Sequence, residues 1–195
     1  MLSYPLDLGF KIVTIGTRVR VKDATGRQVA YARKKKFKLK EDVRVYEDES
    51  QRRLLFRMKA DRMLDFSARY AVSGPDGHPI GAVGRHGVRS MWSSAYALED
   101  ANAMQAGTIR EENPWVKVLD GLMESVPFAD ALGGLFFNPA YVANLNGRDV
   151  LRIRKQRSIL ESSFRIEKLA DFSEDEEDLL LAGAIMMVLL ERDRG

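Results

Sequence analysis

The sequence predicts a mainly β fold: a closed antiparallel β-barrel of short strands around one apolar C-terminal α-helix, with a short helical insertion before the last hairpin. Three observations carry that expectation. A hairpin-sized pattern recurs about every 26 residues, the mark of a repeated supersecondary unit. Each copy alternates apolar and polar residues at the period of a half-buried strand. A late stretch, residues 179–190, has no polar face, so a helix built from it must be surrounded on every side.

The copies follow in order. Residues 19–22 alternate and turn through Asp23-Ala24-Thr25-Gly26 into residues 27–33, which end in Lys34-Lys35-Lys36. Residues 43–46 lead through Glu47-Asp48-Glu49-Ser50 into 54–59. Residues 69–72 turn at Gly74-Pro75-Asp76-Gly77 into 80–83. Residues 95–98 pass over 99–103 into 106–110, and 141–145 turn at Asn146-Gly147 into 150–155. Asp-Gly and Asn-Gly supply the positive φ that tight hairpin turns require. With linking segments such as 37–39 and 63–66, the count is roughly ten to twelve strands. That many strands in one domain close on themselves or pack face to face, because open edges invite aggregation.

The last element decides for the barrel. Ser173 followed by Glu176 has capping-box spacing, and the neighbouring acids suit the positive pole of a helix over 174–192. Arg192 and Arg194 sit at the other pole. The 12 residues 179–190 span about 18 Å as a helix, close to the height of a small barrel. Enclosed there, the helix is part of the core.

The arrangement of hairpin repeats and terminal apolar helix resembles the LURP-one-related proteins. Residues 56–70, Trp92-Ser93-Ser94-Ala95-Tyr96 and the helix start at 177–185 carry the resemblance. It implies a single Tubby C-terminal-like domain over 1–195, a barrel of about twelve strands threaded by its helix, the fold shared with phospholipid scramblases. Tubby domains imply phosphoinositide binding through basic residues, and scramblases imply association with membranes. Scramblases also carry palmitoylated cysteines and a membrane-spanning terminal helix, and this chain has no cysteine.

A chain of 195 residues suits one sizeable core. The lack of cysteine removes disulfides, thiolate metal sites and cysteine nucleophiles, and suits a reducing compartment. Asp7 and Lys11 interrupt the first apolar stretch, so no leader pattern is expected there. The longest apolar run is 12 residues where a bilayer takes about 20. The expectation is a cytoplasmic protein with no transmembrane span, peripheral to a membrane if it meets one. Residues 1–100 hold 20 Lys or Arg against 12 Asp or Glu, whereas residues 101–195 hold 11 against 16. A basic face and an acidic end follow if the fold keeps these halves apart, and a basic face attracts anionic membranes, nucleic acid or acidic proteins.

Between 103 and 147 the chain runs longer than one repeat, which places an insertion at 114–137. Pro114 suits a first helical position, and Val116, Leu119, Leu122, Met123 and Val126 recur at helical spacing. Trp115, Phe128, Leu132, Leu135, Phe136 and Phe137 make it unusually apolar. Two roles fit: a lid over one barrel end, or an exposed patch for a second copy, a protein partner or a membrane surface.

Catalytic chemistry is not expected. His78 and His86 stand alone, Gly81 to Gly84 and Gly133-Gly134 lack the strand–glycine–helix setting of a phosphate loop, and the acids of 171–178 lack calcium-loop spacing. No metal or cofactor is implied. The anion- and lipid-binding candidates are Arg33, Lys34, Lys35, Lys36, Lys38 and Lys40, which form a basic run at a strand end with Phe37 and Leu39 interleaved. Edge-strand protection by lysines explains the same residues, and sparse aromatic stacking disfavours nucleic acid. The sequence therefore reads as a non-enzymatic binding module for anionic phospholipid or a protein partner at the membrane. A scaffold that self-associates through the insertion is the alternative.

Overall fold

The computed structural model describes residues 1–13, 16–35, 42–64, 67–85, 95–112, 140–156 and 162–192. Twelve strands form one closed up-and-down barrel: β1 (Leu6–Val13), β2 (Gly16–Lys22), β3 (Gln28–Lys35), β4 (Asp42–Tyr46), β5 (Leu54–Leu64), β6 (Ser67–Ser73), β7 (Pro79–Arg85), β8 (Ala95–Glu99), β9 (Gln105–Glu111), β10 (Ala140–Leu145), β11 (Arg148–Gln156) and β12 (Ser162–Lys168). Each strand pairs antiparallel with its sequence neighbours, and β1 pairs with β12 to close the wall. Closure removes the open edges that a twelve-stranded meander would otherwise present.

Inward positions are apolar at period 2: Val19 and Val21, Val43 and Val45, Phe56 and Met58, Tyr70 and Val72, Ile153, Phe164 and Ile166 are all buried. They enclose α1 (Glu174–Arg192), in which every residue from Leu179 to Leu189 is buried. Each large side chain so buried stabilises by about 1.5–3 kcal/mol, and helix and wall share one apolar cluster. The close fit has a specific cause at Gly183, where a Cβ would stand 2.8 Å from Ile109 Cδ1 and 3.0 Å from Leu98 Cδ2. The expected cap is also present: Ser173 N–H donates to Glu176 Oε2 at 2.8 Å, and Glu176 N–H donates to Ser173 Oγ at 3.3 Å.

The barrel has the expected twelve strands, but two of them lie outside the repeat and one linker segment belongs to a strand. The hairpin repeat accounts for ten strands, and β1 and β12 lie outside it. Asp7 and Lys11, which break up the first apolar stretch, occupy alternate positions of β1 with buried Leu6 and Leu8 between and before them. Asp7 stands opposite Arg165 and accepts its Nε and Nη2 at 3.0 and 3.1 Å, so these charges belong to the seam that closes the barrel. Residues 63–64, expected in a linker, continue β5 to Leu64.

The outer wall carries its own tie. Arg69 on β6 donates to Glu99 Oε2 on β8 through Nε and Nη2 at 2.9 and 2.6 Å, and to Asp61 Oδ2 on β5 through Nη1 at 2.7 Å. To reach β8 it crosses β7, where its cross-strand neighbour is Gly84 and Glu99 stands opposite Ala82. Small residues on the middle strand leave room for the guanidinium.

Candidate anion-binding surface

The up-and-down order sorts the connections by barrel end. The turns β2–β3, β4–β5, β6–β7, β8–β9 and β10–β11 share the end at which α1 begins. At four of them an aspartate caps the turn by accepting the N–H two residues on: Thr25 to Asp23 at 2.9 Å, Ser50 to Asp48 at 2.7 Å, His78 to Asp76 at 3.1 Å and Asn102 to Asp100 at 2.9 Å. The same end holds Glu47, Glu49, Asp171 and the first-turn acids Glu174 to Glu177. Bonds from Thr25, Ser50 and His78 side chains hold Asp23, Asp48 and Asp76 below the ordinary carboxylate range. This end is acidic because turns and helix cap use carboxylates structurally.

The opposite end is basic. β3 finishes on Arg33, Lys34 and Lys35, and β2, its neighbour, carries Arg18 near its start. β11 finishes near Arg154 and Lys155, both exposed. Register divides the β3 cations. Arg33 pairs with Arg18 and Lys35 with Gly16, while Lys34 pairs with Thr17 at the alternate parity shared by buried Ala32. Arg33 is half-buried. Lys36, Lys38 and Lys40 lie outside the described residues, as do Trp115, Phe128, Leu132, Leu135, Phe136 and Phe137. The strand ends from which both segments leave, β3 and β9, are at this same barrel end.

Charge is thus separated along the barrel axis, not between the two halves of the chain, because every hairpin spans the full height. Arg18, Arg44, Arg154 and Lys155 join the surface through register alone, which a reading of consecutive residues does not reveal. The signal for Arg18 was present in the alternation Thr17-Arg18-Val19-Arg20-Val21-Lys22. Among the described residues, no group of three or more His, Cys, Asp or Glu side chains is placed to hold a metal ion. Among them also, no helix is long and apolar enough to cross a membrane.

Residues 28–188 match the family described as LURP-one-related. No curated protein and no solved structure matches the chain.

Proposed function

We propose that this chain, which belongs to the LURP-one-related family, is a non-enzymatic binding module that meets anionic phospholipid with the basic end of its barrel. The axial separation of charge carries the reading. Arg18 near the start of β2, Arg33 to Lys35 at the end of β3, and Arg154 and Lys155 at the end of β11 lie at one barrel end, and the aspartate-capped turns lie at the other. A negative surface attracts the first end and repels the second, so it orients the barrel as well as holding it. Each cation near such a surface contributes about 1 kcal/mol, reduced by salt.

Co-sedimentation with vesicles of graded phosphatidylserine content, at low and physiological salt, tests this. Binding is expected to rise with anionic lipid and fall with salt. Lys34→Glu with Lys35→Glu should weaken it by about tenfold or more. Arg52→Glu with Arg148→Glu makes the same change in net charge at the acidic end and should leave most of the binding intact. Equal losses from both pairs would mean that net charge, not its placement, governs attraction. No binding at either salt would overturn the reading, and self-association through residues 114–137 would then be tested by mass on Phe136→Ser with Phe137→Ser.

A further inference from the structure

Two arginines on the outer wall face each other with no acid of the described residues between them. The β2–β3 register sets Arg18 directly opposite Arg33, on the face shared by the Arg20–Tyr31 pair. Residues so paired have Cβ atoms about 5 Å apart, and like charges there repel. Both side chains are half-buried, and in each the Nε atom is fully covered and has no hydrogen-bond partner. A covered N–H without an acceptor is unfavourable, more so on a charged group.

The row extends on both sides. Lys11 of β1 stands opposite Arg18. Arg44 of β4 stands one position beyond the Ala32–Val45 pair, on the side of Arg33. The described carboxylates of this region, Glu49 and Asp42, are committed to other partners. Glu49 accepts Arg20 Nε at 2.5 Å, although its charge also feels Arg18. Asp42 accepts Arg57 Nε and Nη2 at 2.6 and 2.7 Å and lies 3.8 Å from Arg44 Nη2. Elsewhere on the wall Arg165 pairs with Asp7, Arg69 with Glu99 and Arg152 with Glu112, although Arg152 Nε is also covered and without a partner. The Arg18–Arg33 pair departs from that rule.

We propose that Arg18 and Arg33 form a binding site for a phosphate monoester dianion, with Arg44 beside Arg33. The guanidinium fork matches phosphate geometry, and two opposed forks satisfy a dianion that neither satisfies alone. Each side chain keeps part of its surface exposed, so a guanidinium can turn its Nε–H edge toward an arriving oxygen. Bound phosphate turns a repulsive pair into a bridged one. The site deepens the membrane reading by specifying a head group that ends in a phosphate monoester, and the same chemistry serves a soluble phosphate.

The test is titration of inorganic phosphate into the full-length protein in a chloride buffer of matched ionic strength, followed by arginine Nε–H nuclear magnetic resonance. The Arg18 and Arg33 signals should shift together and saturate, while that of Arg165, held by Asp7, stays. Arg18→Gln and Arg33→Gln should each weaken phosphate affinity by about tenfold. In phosphate-free buffer neither variant should melt below the wild type, because each removes one of two repelling charges. Affinity should fall as pH is lowered from about 7.5 to about 5.5, because over that range the phosphate dianion takes up a proton and becomes the monoanion. Shifts reproduced by chloride alone, or variants that bind phosphate like the wild type, would overturn the site.

Vesicles separate the two sources. A preference for phosphatidic acid over phosphatidylserine at equal surface charge, lost in Arg18→Gln, assigns the site to lipid. Phosphate binding without that preference assigns it to a soluble ligand. Phosphate binding with no vesicle binding at all would leave the site standing and remove the membrane reading.

Discussion

Gly107 and Gly183 both stand where a side chain would touch a neighbour, but the neighbours differ. A Cβ on Gly107 would lie 2.0 Å from the backbone oxygen of Asn144, which belongs to the β9–β10 ladder and has nowhere to go. Gly107→Ala should therefore cost about 1–3 kcal/mol, seen as a lowered thermal midpoint. On Gly183 the contacts are the tips of Ile109 and Leu98, which can rotate aside. A helical glycine also costs about 1 kcal/mol relative to alanine, so Gly183→Ala should stay within about 1 kcal/mol of wild type. Asp178 makes a different case. Burial first, then the charges of Glu177, Asp175 and Glu174, raise its pKa above the ordinary carboxylate value, with His78 opposing. A raised carboxyl pKa favours folding only while the group is protonated, and that benefit is lost as pH rises through the folded-state value. Asp178→Asn should thus raise the melting midpoint near neutral pH and change it little below the ordinary carboxylate range. A variant that melts lower at neutral pH would show that the ionised carboxylate is needed at the start of the helix.

The turn aspartates link sequence repeat to barrel end. Their lowered pKa values mean that Asp23, Asp48 and Asp76 favour folding while ionised, and that this contribution disappears as pH falls through their folded-state values. Asp48→Ala, which removes both the acceptor and the charge, should flatten the acid side of the stability profile; an unchanged profile would show that the cap is inert. Ser173→Ala should cost about 1 kcal/mol through loss of the helix cap, measured by urea unfolding. The hairpins, the capping box and the buried helix were legible because each depends on residues close in sequence: Asn146-Gly147, for instance, turns with φ of 50° and 82° as that dipeptide implies. The β1–β12 seam was not, since the alternation of Leu6, Asp7 and Leu8 becomes meaningful only when Arg165 arrives from the far end of the chain. The candidate site divides the same way. Arg33, Lys34 and Lys35 are consecutive and were visible as a basic run, whereas the Arg18–Arg33 pair exists only through cross-strand register.

At the scale of the molecule, a helix buried along its length and a charge gradient along the same axis belong together. A barrel that threads its own C-terminus must put the helix's acidic start at one end, and the structural use of carboxylates in the turns adds to that end. Arg18 near the start of β2, Arg33 to Lys35 at the end of β3, and Arg154 and Lys155 at the end of β11 lie toward the other end. The absence of cysteine allows this gradient to be measured with single introduced labels. Spin labels at Gln156→Cys, at the basic end, and at Asn102→Cys, in an acidic-end turn, would be compared on phosphatidylserine vesicles by relaxation from a lipid-soluble and a water-soluble paramagnet. The label at residue 156 should enter the lipid interface while that at 102 remains in water. The reverse order, or equal exposure of both labels on bound protein, would contradict it.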